Sequence, residues 1–147
     1  RKMGQFGNVR WEIFSKHCQQ PYQNGNCSVK RISNEAFVKS MASSEGILCG
    51  AGFETPAEAL FLKKKLLVVP MKSQYEQLCN AASLKLMGVP VLKSLKKKRL
   101  RKLAAWIESD VRIEVDYPDC TSEVVNLLIE SYISKNPQLI LSRLPKL

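Results

Sequence analysis

Two glycines separated by one residue form the first feature of this sequence from which chemistry can be argued. Gly50–Gly52 follows the short apolar run Ile47–Cys49, which is typical of a buried strand that ends in a tight turn. A helix is predicted just beyond, with Thr55 as its N-cap and Pro56 as its first helical residue. Backbone N–H groups and the positive end of the helix dipole bind anions at such a position. The glycines would also allow close backbone approach and unusual φ values. For a glycine pair alone, a helix start without a ligand is the commoner interpretation.

A second polar cluster lies after the next predicted strand. That strand, Leu66–Val69, is closed by Pro70, and the polar stretch Gln74–Gln77 follows at the predicted start of another helix, with Asn80 close behind. In an open α/β sheet, the carboxyl ends of neighbouring parallel strands face one crevice. We therefore expect the glycine turn and this cluster to meet in one site.

The elements that must position these residues alternate between strands and helices. Apolar runs predict the strands, and N-cap residues followed by helical spacing predict the helices. The alternation is typical of an α/β three-layer domain with a mainly parallel sheet. The predicted strands are Val9–Ser15, Ser28–Ile32, Ile47–Cys49, Leu66–Val69, Val89–Leu92 and Val111–Tyr117. The predicted helices run from Ser33 or Asn34 to Ser43, onward from Thr55, from Ser73 or Gln74 to Met87, through Leu100–Ile107, and from Thr121 to Ile133.

The strings GAGFETPAEAL and QYEQLCNA, separated by a strand that ends in Pro70, resemble the donor-binding domain of two-domain (GT-B) glycosyltransferases. They are most similar to a group of bacterial and archaeal homologues related to the N-acetylglucosaminyltransferase of peptidoglycan synthesis. The resemblance covers roughly Trp11 to Leu95. It implies the carboxy-terminal, Rossmann-like half of such an enzyme, here without its first βα unit.

That resemblance assigns a role to each polar turn. The glycine turn and helix start would take the diphosphate of a nucleotide sugar, Glu58 would hold the ribose hydroxyls, and the pair Glu76–Gln77 would contact the sugar hydroxyls. The nucleotide base would lie against Arg31–Ser33. Lys16, at the end of the first predicted strand, is a further candidate for a phosphate contact. The predicted substrate-binding residues are Gly50, Ala51, Gly52, Phe53, Thr55, Glu58, Gln74, Glu76, Gln77, Asn80, Lys16 and Ile32.

These residues also have purely structural interpretations. Glu58 stands three residues after Thr55, which is the spacing of a capping box. The pair Glu76–Gln77 fits an ordinary solvated first turn, where the helix dipole favours an acid. Lys16 fits a free surface lysine. For Glu76–Gln77, only the resemblance favours the binding role.

The resemblance implies transfer of a hexosyl or N-acetylhexosaminyl group from a nucleotide-diphosphate sugar, with a UDP-sugar favoured, to an acceptor hydroxyl. No cofactor and no metal are expected. The acceptor would be a glycan, lipid-linked or other. The catalytic base is unknown and is expected in an amino-terminal domain of the same parent chain. We therefore predict nucleotide binding with little or no transferase activity from this chain alone.

The other reactive side chains favour no metal, disulfide or dinucleotide site. Five cysteines without a Cys-x-x-Cys pair, and one histidine, indicate neither zinc nor a disulfide framework. His17 lies in a predicted loop, where a lone histidine is more often solvated than a general base. Asp116 and Asp119 have the spacing D-x-x-D rather than D-x-D, so we expect no metal there. A dinucleotide-binding turn needs a third glycine where this sequence has Thr55.

A run of basic residues is the remaining feature with functional meaning. Seven of the ten residues in Lys93–Lys102 are basic, and the chain has a net charge of +10. A solvated helix face is the commonest meaning of such a run. The sharper hypotheses are a patch for anionic lipid headgroups or one for nucleic-acid phosphates. Nucleic acid is not favoured, because no aromatic residue is interleaved with the basic ones. The alternative to a transferase is thus a non-enzymatic basic module that binds an anionic membrane or nucleic acid through this run.

Length and composition indicate one globular domain. The 147 residues are 45% apolar, which is enough for a core, and no apolar run approaches the roughly 20 residues that span a bilayer. We predict a nucleotide-sugar-binding domain in residues 1–133 and a tail in residues 134–147. Cysteines at predicted core positions, and no signal-peptide pattern, favour a cytoplasmic protein. Peripheral contact would hold it at the inner face of the membrane.

Overall fold

A computed structural model describes residues 3–135. The chain divides into two compact units, Arg1–Val115 and Asp116–Leu147. The first unit holds every strand and four α-helices of the described range, and the second holds one helix. The predicted tail, residues 134–147, lies outside the described residues from position 136 onward.

Three strands of the first unit form one sheet in the order β1-β3-β2. β1 (Trp11–Ser15) is parallel to β3 (Cys27–Arg31), and β2 (Tyr22–Asn24) is antiparallel to β3. The strand β2 falls in a segment predicted to be a loop. Gly25 has a φ of 57° and begins the two-residue turn that places Asn24 opposite Cys27, which is a conformation suited to tight hairpins.

The other two strands form a separate parallel pair. β4 (Gly46–Cys49) runs beside β5 (Lys65–Val68), and all four residues of β5 are buried. The strand predicted at Val89–Leu92 is reduced to a parallel bridge between Val68 and Val91. The α/β fold class is confirmed, although the strands divide into two hydrogen-bonded sheets.

Helices cover both faces of the β4–β5 pair. The first unit contains α1 (Asn34–Ser43), α2 (Glu54–Phe61), α3 (Tyr75–Leu86) and α4 (Leu100–Glu108), which follows a 3-10 turn at Lys97–Arg99. Side chains alternate along the strands. Leu66 and Val68 pack with α2 and α3 in one core cluster, while Leu67 packs with Leu103 and Trp106 of α4 in a second. The result is a three-layer arrangement around this pair of strands.

The predicted strand Val111–Tyr117 is wrong, because this segment forms no regular element. Its alternation instead reflects packing of Ile113 and Val115 against the core cluster of α2 and α3. Arg112, directly before Ile113, donates to the carbonyl of Lys63 at 3.0 Å and pairs with Glu45. Side chains anchor the segment without the backbone ladder that a strand requires.

The second unit contains α5 (Thr121–Lys135), which has no buried residue. Before the start of this helix, the carboxylate of Asp119 accepts a hydrogen bond from the backbone N–H of Thr121 at 3.2 Å. Hydrogen bonds from Thr121, through its side chain and its N–H, lower the pKa of Asp119. Among the helices described, none is long and apolar enough to cross a bilayer.

Helices α2 and α3 end in the same way. In α3, Val89 N–H bonds to Leu84 O and Gly88 N–H bonds to Lys85 O, and Gly88 has a φ of 94°. These two bonds define a Schellman motif, whose left-handed residue is normally glycine. The matching bonds in α2 come from Lys64 and Lys63, so Lys63 occupies the left-handed position, with a φ of 53°.

Replacement of Lys63 by glycine is expected to stabilise the domain by about 1 kcal/mol, because glycine adopts this conformation without the steric cost of a Cβ. Urea unfolding followed by circular dichroism measures the change. Lys64→Gly is the control: it changes the adjacent position, which has no positive φ, and should not stabilise. Equal free energies of unfolding for the two variants would mean that the left-handed conformation of Lys63 costs no stability.

Candidate functional site

The two turns predicted to form a site lie at one edge of the β4–β5 sheet. These strands are parallel, with Cys49 opposite Val68 near their carboxyl ends, so the segments that follow them leave from the same edge. The glycine turn Gly50–Gly52 leads into α2, and residues 69–74 lead into α3. The sequence-based expectation that both turns share an edge agrees with this topology.

The side chain of Gln77 joins the two turns directly. Its Oε1 accepts a hydrogen bond from the N–H of Ala51 at 3.2 Å and another from the N–H of Met71 at 2.9 Å. Ala51 belongs to the turn after β4 and Met71 to the turn after β5. One amide oxygen therefore connects the two turns of the site. The Nε2 group of Gln77 makes no hydrogen bond to another residue within residues 3–135.

Asn80 fixes the glycine turn from the same helix. Its Nδ2 donates to the carbonyl of Ala51 at 3.1 Å. Both backbone polar groups of Ala51 are thus engaged, and its side chain is 0% exposed. A Cβ at Gly50 would lie 3.4 Å from Gln77 Oε1, so a side chain there would press on the bridging amide. Ala51 therefore positions the turn and presents no free group to a ligand.

Gly52 has open space where Gly50 does not. No atom lies within 4 Å of the position that a Cβ would take at Gly52. Within residues 3–135, positive φ values at glycine occur at Gly25 and Gly88. The expectation of unusual φ values at Gly50 and Gly52 is therefore wrong. The backbone at Gly52 is therefore open on the side where a side chain would stand.

Helix α2 starts before the predicted point. Phe53 is its N-cap, and its carbonyl accepts the first helical bond, from Ala57 N–H at 3.2 Å. Phe53 already has right-handed helical dihedrals, so the turn continues straight into the helix, and the prediction of Thr55 as N-cap is wrong. Pro56 lies within the first turn, where its missing N–H leaves no bond unmade. The N–H groups of Glu54 and Thr55 have no acceptor inside the helix.

The earlier helix start also removes the capping box proposed for Glu58. Thr55 is a helical residue, and neither its hydroxyl nor the Glu58 carboxylate makes a hydrogen bond or ion pair within residues 3–135. Glu58 is exposed, and it lies one turn, about 6 Å, along the axis from Glu54. The structural role that competed with ligand binding is thus absent at Glu58.

The start of α3 presents exposed polar and aromatic groups. Gln74 is the N-cap without a side-chain cap bond, and Glu76 is exposed in the first turn. Tyr75 between them is 82% exposed, and a hydrogen bond with Cys79 raises the pKa of Tyr75. At the other turn, Phe53 is 76% exposed. Two large aromatic rings therefore stand in solvent at the starts of the two helices.

Comparison with known proteins assigns the chain to a family. A family model described as glycosyl transferase family 1 matches residues 6–108, which is more than half of the chain. The chain belongs to glycosyl transferase family 1. No curated protein and no solved structure matches it. Family membership indicates glycosyl transfer from a nucleotide sugar to an acceptor.

Two predicted contacts of this family 1 domain lie in the other sheet. Lys16 follows β1 and Ile32 follows β3, so both are at the carboxyl ends of parallel strands. Both residues are exposed. No hydrogen bond within residues 3–135 links either of them to the glycine turn. The contacts of the site thus join the turns after β4 and β5, and they do not extend to Lys16 or Ile32.

Sequence reasoning missed the part played by Met71 in the family 1 domain. Its backbone N–H is one of the two donors to Gln77, and its side chain is exposed beside the α3 start. The sequence feature that could have indicated this role is the position of Met71 directly after Pro70, at the strand end. A backbone contribution of this kind leaves no trace in the type of side chain.

Two other reactive side chains of the family 1 domain are those of Cys49 and His17. Burial raises the pKa of the Cys49 thiol to about 12, so this residue at the end of β4 stays protonated at neutral pH. His17 is exposed, and its backbone N–H donates to Ser15 Oγ at 3.2 Å. Within residues 3–135 there is no group of three or more His, Cys, Asp or Glu side chains that could hold a metal ion.

Proposed function

We propose that this chain is the carboxy-terminal, donor-binding domain of its glycosyltransferase, and that the nucleotide sugar binds at the edge formed by the turns after β4 and β5. The observation that carries the proposal is the bridge from Gln77 Oε1 to the N–H groups of Ala51 and Met71. It supports the proposal because it fixes the two turns with respect to each other before any ligand arrives.

The diphosphate would lie at Gly52 and the start of α2. The backbone N–H groups of Glu54 and Thr55 lack helical acceptors, the Thr55 hydroxyl is unbonded within the described chain, and the dipole adds positive potential. Such preorganised donors stabilise charge as it develops on a departing diphosphate. The site therefore needs no metal ion for this part of the reaction.

The ribose and the sugar would take the free side chains on either side. The Glu58 carboxylate can accept hydrogen bonds from two vicinal hydroxyls, and no neighbour within residues 3–135 competes for it. Gln77 Nε2 and Glu76 offer a donor and acceptors to the transferred hexosyl or N-acetylhexosaminyl group. The exposed ring of Tyr75 suits an apolar sugar face. We favour a UDP-sugar as the donor.

The rest of the reaction belongs to another part of the parent chain. An amino-terminal domain would supply the acceptor site and the catalytic base. The acceptor hydroxyl would attack the anomeric carbon as its proton passes to that base and the diphosphate leaves. This chain alone should bind donor and show little or no transfer.

Glu58→Gln tests the proposal. Loss of the carboxylate should weaken binding of a UDP-sugar by about 1–3 kcal/mol, roughly 5- to 140-fold, because hydrogen bonds to a charged acceptor are lost. Isothermal titration calorimetry with UDP-N-acetylglucosamine, UDP-glucose and the matching GDP-sugars measures the effect. Glu35→Gln, at an exposed first-turn position of α1, is the matched control and should bind as the unmodified chain does.

The second candidate is the non-enzymatic basic module. It is favoured by the net charge of +10 and by the seven basic residues of Lys93–Lys102. The basic module would be the correct function if no nucleotide sugar binds at all and removal of those charges abolishes binding to a polyanion. The donor-binding proposal would then be wrong.

A further inference from the structure

The basic run is embedded in a longer segment without acidic residues. No aspartate or glutamate occurs between Glu76 and Glu108, whereas eight lysines and arginines do. The ion pairs described within residues 3–135 join Lys30 to Glu12 and Arg112 to Glu45, so none neutralises this segment.

The topology places the start of this run at the same edge as the candidate site. The N–H of Leu92 bonds to Val68 O at 2.9 Å, at the carboxyl end of β5, and the parallel bridge at Val91 sets the chain direction. Lys93 therefore leaves the sheet where the glycine turn does. Because β4, β5 and the bridged segment are successive neighbours, their ends lie within about 10 Å of each other along the edge.

Helix α4 then carries the chain back along the strands. The carbonyls of Ile107 and Ser109, at its carboxyl end, accept hydrogen bonds from Lys65 Nζ at 2.9 and 2.8 Å. Lys65 is the first residue of β5, so this end of α4 lies at the opposite edge. The lysines that precede α4 are therefore held toward the edge of the candidate site.

The apolar face of α4 is already used. Leu103 and Trp106 are buried in the core cluster around Leu67, with Leu100 and Ile107 packed against it. The helix therefore has no apolar stripe to insert into a bilayer, and what it presents to solvent is charge. The exposed basic residues of the run are Lys93, Lys96, Lys97, Lys98, Arg101 and Lys102.

We propose that this basic surface docks the domain on an anionic membrane through electrostatic attraction, with the edge that carries the candidate site turned toward the lipid. Charge complementarity favours a lipid surface, since clustered lysines bind anionic headgroups without needing a defined sequence of bases. A nucleic acid would be favoured by exposed aromatics between the basic residues, but the single aromatic of the segment after Tyr75 is Trp106, which is buried. That such docking brings the site to a membrane-borne acceptor rests on the proposed function.

Co-sedimentation with vesicles tests the docking. The probes are vesicles of phosphatidylcholine alone and vesicles that also contain phosphatidylglycerol. The 147-residue chain should bind the anionic vesicles but not the vesicles of phosphatidylcholine alone. Binding should vanish at high salt because exposed charges are screened. Substitution of Lys96, Lys97 and Lys98 by glutamine should reduce partitioning by about fivefold per lysine, roughly 100-fold together.

The matched control removes the same charge elsewhere. Arg10, Lys39 and Lys63 are exposed, and their substitution by glutamine should leave most of the binding intact. Equal losses in the two triple variants would mean that net charge alone acts, and would overturn the proposal. Salt-resistant binding, or tighter binding to a duplex oligonucleotide than to anionic vesicles, would also overturn it. Calorimetry with a UDP-sugar on the same variants keeps the two proposals separate, because donor binding should be unchanged when vesicle binding is lost.

Discussion

Replacement of Gln77 by methionine is expected to destabilise the domain by about 1–3 kcal/mol and to weaken donor binding at least tenfold. Methionine keeps an unbranched side chain of similar length but cannot accept the hydrogen bonds from Ala51 and Met71. The bond to Ala51 is partly buried, so that N–H loses a partner which water replaces poorly. The turns then lose the shared anchor that fixes their separation. Urea unfolding gives the stability change, and calorimetry with a UDP-sugar gives the binding change.

Two further variants divide the role of Gln77 into its parts. Gln77→Glu keeps an acceptor for both N–H groups, so stability should stay close to that of the unmodified chain, but it loses Nε2 and adds a negative charge near the proposed diphosphate. Binding should therefore fall without unfolding. Gln19→Met is the control: it makes the same glutamine-to-methionine change as Gln77→Met, but at an exposed position. It should alter neither stability nor donor binding. Unchanged stability in Gln77→Met would contradict the bridging role, and unchanged binding in Gln77→Glu would contradict contact with the donor.

Replacement of Lys65 by methionine is expected to cost about 2–4 kcal/mol and to lower the melting temperature by roughly 10 °C. Lys65 is 6% exposed, and its ammonium group donates to the carbonyls of Ile107 and Ser109. These carbonyls lie at the carboxyl end of α4, where a cation also interacts favourably with the helix dipole. The ammonium group is 5.9 Å from the centre of the Trp106 ring, which adds a cation–π contact.

Lys64→Met supplies the control for this prediction. Lys64 Nζ donates to the carbonyl of Ala42 at 2.6 Å, at the surface, where water replaces a lost donor. Its removal should cost less than about 1 kcal/mol. Differential scanning calorimetry of the two variants measures the contrast. Equal melting temperatures would mean that burial of Lys65 contributes no net stability, as happens when desolvation offsets the bonds of a buried charge.

The parts of the fold with strong local signals were predicted from the sequence. Helix α1 begins and ends where its cap residues and spacing indicate, and α3 is ended by Gly88 as predicted. Helix α4 forms where a helix over Leu100–Ile107 was predicted, and its apolar side chains pack in the core with Trp106. In each case, local propensity and the apolar face that must be buried indicate the same element.

The failures arise where tertiary contacts decide the local structure. Residues 111–117 alternate like a strand. Ile113 and Val115 nevertheless pack on the core without backbone hydrogen bonds to a neighbouring strand. Thr55 has the composition of an N-cap, yet Phe53 continues the preceding turn into α2. In the site, the sequence predicted that the two turns meet. It did not predict that Gln77 binds backbone groups 26 and 6 residues away, because side-chain partners of the main chain leave no pattern of spacing.

The anchoring of the glycine turn by α3 has a consequence for synthesis of the protein. Gly50–Gly52 leaves the ribosome well before Gln77 and Asn80, which are separated from Ala51 by 26 and 29 residues. Until α3 has emerged and docked, no side chain can hold the turn in place. A nascent chain that ends between the two segments thus carries the glycine turn of the proposed donor site without the side chains that hold it, and the turn becomes fixed when α3 docks.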